Sequence, residues 1–213
     1  MGAPNLNTTT TTVIPPFTLS SPAGTDIWRK PPTTNVFTAP LHPSAPPTIP
    51  LKSFVSARLS FVLPPTSQLR QYDQAGLLLR FTKPGLDPSK SKWIKTGIEF
   101  YYGKPYVSTV GCDTWADWSI VPSEVDAEGR PGATIEARRE EDGLGKSLWV
   151  YWVTKGEDGK EELRPVRELT WVFAEEEGWE VGVAGLVARP TTEGGEGELR
   201  AEFGGIEVVA LKE

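Results

Sequence analysis

Three segments in the middle of the chain alternate side-chain character at every residue, and this constrains the fold more than any other feature. Phe54–Leu63 sets Val55, Ala57, Leu59, Phe61 and Leu63 against Ser56, Arg58 and Ser60. Tyr72–Phe81 sets Ala75, Leu77, Leu79 and Phe81 against Gln74, Gly76, Leu78 and Arg80. Trp93–Tyr102 sets Ile94, Thr96, Ile98, Phe100 and Tyr102 against Trp93, Lys95, Gly97, Glu99 and Tyr101. A β-strand sends successive side chains to opposite faces, so each segment reads as a strand with one packing face. The second face of Trp93–Tyr102 holds a cation, an anion, two aromatics and a glycine gap. A solvated face needs no tryptophan or tyrosine, so this one reads as ligand-facing.

The same pattern predicts strands at Lys104–Val110, Trp118–Val121, Ala133–Arg139, Ser147–Thr154, Arg164–Phe173, Trp179–Ala188 and Leu199–Leu211. Gly103-Lys104 and Glu157-Asp158-Gly159 read as hairpin turns. No window sustains a 3.6-residue period, and Ala174–Glu177 is at most one helical turn. The 20 prolines and 21 glycines suit many short strands joined by tight turns. The proline-dense stretch 15–50 predicts one or two edge strands, where proline is tolerated. The threonine-rich stretch 1–14 lacks periodicity and is expected to be a disordered tail ahead of a single domain over 15–213. About a dozen strands imply an all-β chain of two packed antiparallel sheets or a jelly roll.

Several function classes are set aside. A net charge of −6 disfavours nucleic acid, whose binding draws on cationic surface. There is no run of about 18 apolar residues to suggest a membrane partner. Cys112 is the only cysteine, which fits a reducing compartment. The start MGAPNLNTTTTT has neither a basic nor an apolar signal region, so a cytoplasmic protein is expected. His42 is the only histidine and lies in a proline-rich loop, a poor setting for a triad. No His/Cys cluster suggests a metal, and no phosphate-binding glycine motif suggests a nucleotide, so no cofactor is expected. Glu124, Asp126 and Glu128 mimic an E-x-D-x-E carboxylate array, but the flanking Pro122 and Gly129-Arg130-Pro131-Gly132 describe a loop.

The strings TDIWRKP, YDQAGL, KWIKTGIE, DWS and VGVAGLVARP, spread over residues 17–211, resemble the fungal regulator-of-enolase family. That family is part of a domain family of unknown function shared with bacteria. The resemblance implies a concanavalin-A-like jelly-roll sandwich and a sugar-related role. Its name adds a metabolic enzyme as a further expected partner.

Expected ligand-binding residues, for a glycan or other small molecule, begin with the polar strand faces: Gln74, Arg80, Trp93, Lys95 and Glu99. Trp115 and Asp117, in the Gly111–Ser119 stretch, are expected to close one end of the groove. Arg138 and Trp152 are expected to join from neighbouring strands. Trp93 and Trp115 would stack on a sugar face, and the charged and amide groups would fix hydroxyls. Trp118 reads as a core plug. If the protein is an enzyme, Glu99 is the candidate general base and Lys95 the oxyanion stabiliser.

Overall fold

The structure, a computed structural model, describes residues 8–212. Sixteen strands, with three short 3-10 turns, are its regular elements among the described residues. Sheet I contains β1 (Thr9–Ile14), β2 (Phe17–Ser21), β7 (Phe54–Val62), β12 (Gly132–Asp142), β13 (Gly145–Lys155), β14 (Glu161–Leu169) and β16 (Leu199–Leu211). Its order is β1-β16-β7-β12-β13-β14, with β2 also paired to β16. Sheet II contains β5 (Leu41–His42), β6 (Thr48–Pro50), β8 (Gln74–Thr82), β9 (Lys92–Tyr101), β10 (Lys104–Cys112), β11 (Ala116–Pro122) and β15 (Glu180–Ala188). Its order is β11-β10-β9-β8-β15-β5, with β6 also on β15. A separate hairpin joins β3 (Ile27–Lys30) to β4 (Thr34–Phe37). All the strand pairings are antiparallel, and the fold is the expected jelly-roll sandwich.

The alternation decides what fills the middle. Leu59 and Phe61 of β7, Leu77 and Leu79 of β8, Ile94 and Ile98 of β9, Ile135 of β12 and Val150 of β13 all belong to the inter-sheet core. Each fully buried side chain of this size contributes about 1.5–3 kcal/mol. Sheet II is also covered on its other face. Ile27 from the hairpin packs there with Leu78, Trp93, Val110, Cys112 and Leu186 in a second apolar cluster, flanked by Trp28 and Phe37. The β3–β4 hairpin is therefore a roof over sheet II.

Two expectations for the N-terminal third need correction. Thr9–Ile14 is not a disordered tail but an edge strand, registered from Thr9 against Leu211 to Ile14 against Ile206. Threonine and valine are β-branched and suit a half-exposed strand, and the long β16 offers them a free edge. Residues 1–7 of the expected tail lie outside the described residues. The proline-dense stretch supplies five short strands, β2 to β6, instead of one or two. Further along, the strand expected over Arg164–Phe173 stops at Leu169, and 174–177 forms no helix.

Candidate functional site

β8 and β9 run antiparallel at the centre of sheet II, and their register places the outward side chains in rows. Arg80 faces Trp93, Leu78 faces Lys95, Gly76 faces Gly97, and Gln74 faces Glu99. The parity read from the sequence is thus correct: Ile94 and Ile98 point inward, while Lys95 and Glu99 lie on the roofed face. At strand rise the Cα atoms of Lys95 and Glu99 are roughly 13 Å apart. Between them the floor has no side chains. A Cβ on Gly97 would lie 2.1 Å from the Ala75 carbonyl oxygen and 2.6 Å from the Gly76 Cα. The close approach of the two backbones requires glycine on both strands.

Above this floor a cleft of about 300 Å³ opens. Gln74, Lys95 and Glu99 form its base, and Asp26, Trp28 and Lys30 of the roof form one wall. Tyr72, Trp118 and Pro190 complete it. At its base a recess of about 10 Å³, close to the space one water occupies, lies among Lys95, Gly97, Glu99 and Ser108.

The polar groups are buried and organised. Lys95 is 5% exposed; its Nζ donates to Gln74 Oε1 at 2.7 Å and to Asp26 Oδ1 at 3.1 Å. The same ammonium lies 5.7 Å from the centroid of the Trp28 ring. Gln74 Nε2 donates to the Tyr72 carbonyl at 3.2 Å, which orients the amide so that its oxygen faces the cation. Asp26 also accepts from the Ile27 backbone N–H at 2.7 Å, which fixes the carboxylate at the entry to the roof. Glu99, 7% exposed, accepts at Oε2 from Ser108 Oγ at 2.8 Å. Ser108 Oγ in turn accepts from Trp118 Nε1 at 3.0 Å.

Burial pushes the Glu99 carboxyl above the usual carboxylate range, against the opposing pull of Lys95 and the Ser108 hydrogen bond. The ion pair of Lys95 is with Asp26 across the roof, so Glu99 lacks a close cationic partner that would restore its acidity. A desolvated carboxyl with a raised proton affinity can accept or donate a proton near a bound polar ligand.

Of the expected site residues, the structure brings together Gln74, Lys95 and Glu99 and places the others elsewhere. Trp93 is 1% exposed and packed under the hairpin, so its ring is unavailable for stacking. Arg80 is a latch: it donates to Ser91 Oγ at 3.2 Å and to the Pro88 carbonyl at 3.3 Å, and lies over the Phe37 ring at 4.7 Å. Trp115 is 51% exposed in the turn after β10 and does not line the cleft. Asp117 faces away from the roof because its neighbour Trp118 faces the cleft; it binds Arg167 of β14 at 2.5 Å. Arg138 and Trp152 belong to sheet I. Arg138 donates to Glu136 Oε1 from Nε at 2.8 Å, and Trp152 packs against the inter-sheet core.

The residues that replace them were partly visible in sequence. Asp26 and Trp28 lie in the TDIWRKP string, where Ile27 and Arg29 are buried and Trp28 and Lys30 face the cleft. Ser108 follows from the parity of β10, on which it pairs with Gly97. Trp118, read as a core plug, lines the cleft instead. Asp126 accepts from the Glu128 and Arg130 backbone N–H groups at 3.0 and 2.8 Å, so the E-x-D-x-E stretch is the expected loop. Among the described residues, no group of three or more His, Cys, Asp or Glu side chains is arranged to hold a metal ion. Also among them, no helix is long and apolar enough to cross a membrane.

Residues 7–208 match the model of a family described as a protein of unknown function, DUF1349. The chain belongs to this family. A relative described as an uncharacterized protein, AN7484, of Emericella nidulans is 41% identical over 180 residues, covering 84% of this chain and 80% of the relative. Among solved structures, a functionally unknown protein from Saccharomyces cerevisiae matches 98% of both chains at 18% identity and a TM-score of 0.60, which shows the shared fold. Lectin II from Ulex europaeus matches 95% of this chain and 98% of its own at 13% identity and a TM-score of 0.42. None of these descriptions carries the enolase-related name suggested by the sequence resemblance.

Proposed function

We propose that this chain binds a carbohydrate or sugar-like small molecule in the cleft between β8, β9 and β10 and the β3–β4 roof. One observation carries the reading. A buried ammonium and a buried carboxyl flank a hydroxyl-sized recess over a glycine floor, while Trp28, Tyr72 and Trp118 wall the space above. Sugar recognition needs this combination, because aromatic faces cover the C–H surface of a pyranose and charged groups fix its hydroxyls. Isothermal titration against a panel of monosaccharides and polyol metabolites tests the proposal. A hydrogen bond to a charged group is worth about 1.5–3 kcal/mol, so Glu99→Gln is expected to weaken binding by about tenfold or more, and Trp28→Ala is expected to weaken it by removing an aromatic wall of the cleft. A wild-type protein that binds nothing in the panel, or variants that bind equally well, would refute it.

A second reading is favoured by the raised proton affinity of Glu99. Glu99 would act as general acid or base on the bound molecule, with Lys95 stabilising a developing oxyanion. Product formation by the wild type that disappears in Glu99→Gln, with substrate still bound, separates turnover from binding. The metabolic-enzyme partner implied by the resemblance would be tested by a pull-down that survives loss of the cleft.

A further inference from the structure

The cleft does not end at Tyr72. The Tyr72 ring lies 5.6 Å from the ring of Tyr101, and Tyr101 lies 4.4 Å from Tyr102 and 5.1 Å from Trp118. Aromatic rings thus continue from the cleft wall to the tip of the β9–β10 hairpin. Tyr72 is 39% exposed and Tyr102 77% exposed, so the outer rings face solvent.

The backbone under this strip is unusual. Among the described residues, the non-glycine residues with positive φ are Tyr72, at 67°, and Tyr102, at 45°. Both belong to the strip. Tyr102 and Gly103 form the two-residue turn between Tyr101 and Lys104, and both have positive φ. Asparagine, aspartate or glycine suits the first position of such a turn; an aromatic ring there costs stability. The turn is nevertheless held. Tyr102 N donates to Gln71 Oε1 at 2.9 Å, and Tyr72 N donates to the Phe100 carbonyl at 2.7 Å, so both strained residues are tied to one another's loops. Strain that persists because its surroundings fix it points to what the side chain presents.

We infer that the Tyr72–Tyr101–Tyr102 strip is a second subsite that carries the following units of an oligosaccharide whose terminal unit occupies the cleft. The inference rests on the proposed sugar-binding role of the cleft. Continuity with the cleft selects a ligand longer than one ring, and each exposed ring offers a flat face for a further pyranose. Stacked nucleobases would also suit aromatic rings, but they bring phosphates that need cations. Among the described residues, no cation–ring contact involves these three tyrosines, and the whole chain carries −6.

The test is a titration of glucose and its β-1,3-, β-1,4- and α-1,4-linked di-, tri- and tetrasaccharides, with matching N-acetylglucosamine oligomers. The readout is the ratio of trisaccharide to monosaccharide affinity. For at least one series that ratio is expected to reach about tenfold in the wild type and to fall to about one in Tyr102→Asn. The same variant is expected to melt at a temperature equal to or roughly 2 °C above that of the wild type, because asparagine suits the turn. A ratio near one in the wild type, a ratio that survives Tyr102→Asn, or a fall in melting temperature would overturn the inference and leave the cleft reading standing. Failure of every sugar to bind would remove the cleft reading, and the strip's role with it.

Discussion

Replacing Gly97 by alanine tests the floor of the site in its most sensitive place. Gly97 pairs directly with Gly76 at the centre of sheet II. The added methyl would sit 2.1 Å from the Ala75 carbonyl oxygen, about 1.3 Å short of ordinary van der Waals contact. The obstacle is backbone on the neighbouring strand, so no side-chain rotation relieves it. Moving β8 and β9 apart by that distance stretches a ladder hydrogen bond from about 2.9 Å to about 4.2 Å, which breaks it. Two such bonds at about 1 kcal/mol each, with about 1–3 kcal/mol of overpacking strain, give a loss of about 3–5 kcal/mol. At about 2–4 °C per kcal/mol for a chain of this size, the melting temperature is expected to fall by about 6–20 °C. Urea unfolding of the wild type, Gly97→Ala and a control, Gly143→Ala, measures this. An alanine Cβ at Gly143 would meet nothing within 4 Å, so that variant is expected to be neutral or slightly stabilised. A loss below about 1 kcal/mol for Gly97→Ala would refute the claim that close backbone approach makes the floor.

Other predictions concern charge. Glu99 has a folded-state pKa raised by burial, so the folded state holds its proton more tightly than the unfolded state. Its contribution to stability therefore falls as pH rises from the unfolded carboxylate range through the raised folded value, and is flat beyond. Glu99→Gln removes this slope. Thermal melts are expected to show the variant gaining on the wild type between acidic and neutral pH, and a pH-independent difference would refute the burial argument. Asp73 has no exposed surface and accepts from Arg189 Nη2 at 2.7 Å, Arg189 Nε at 3.0 Å and the Arg70 backbone N–H at 2.8 Å. Breaking such a buried pair costs about 3–5 kcal/mol, so Asp73→Asn is expected to lower the urea midpoint strongly and with little dependence on salt. A loss under about 1 kcal/mol, or one abolished by salt, would contradict it.

The strands and their inward faces were legible because a period of two is a local property. Phe54–Val62, Gln74–Thr82 and Lys92–Tyr101 fall within a residue or two of the segments the alternation marks. Parity alone could not say what covers a face. Trp93 and Arg80 share the face of Lys95 and Glu99 as expected, but a hairpin from Ile27–Phe37 lies over them, and no local signal near residue 93 announces that roof. Sheet membership was equally hidden. Arg138 and Trp152 alternate as well as Lys95 does, yet their strands pair with β7 and β14 in the other sheet. Asp117 is expected at the groove end and Trp118 in the core, but along β11 Trp118 lines the cleft and Asp117 pairs with Arg167 on the other side. The threonines of β1 lack an apolar rhythm because that strand is exposed on most of its length, and β-branching was the remaining clue.

The site follows from how the second apolar layer ends. Along β9 the outward side chains run Trp93, Lys95, Gly97, Glu99, Tyr101: apolar anchor, cation, gap, anion, aromatic. At the Trp93 end the roof seals against Leu78, Val110 and Cys112, and burial there raises the Cys112 thiol to about 11, which keeps it protonated and unreactive near neutral pH. Toward the Tyr101 end the outer rings of the tyrosine strip, Tyr72 and Tyr102, are exposed. Lys95 and Glu99 stand at the transition, dry enough to be costly and open enough to be reached. Their cost is offset unequally: Asp26, carried in by the roof, pairs directly with Lys95, while Glu99 has the Ser108 hydrogen bond and the more distant pull of Lys95. A buried pair selected for stability alone would have been joined directly. The glycine gap holds the two charges apart, leaves Glu99 without a salt-bridge partner among the described residues and keeps the recess between them open, which is the geometry the proposed sugar-binding role draws on.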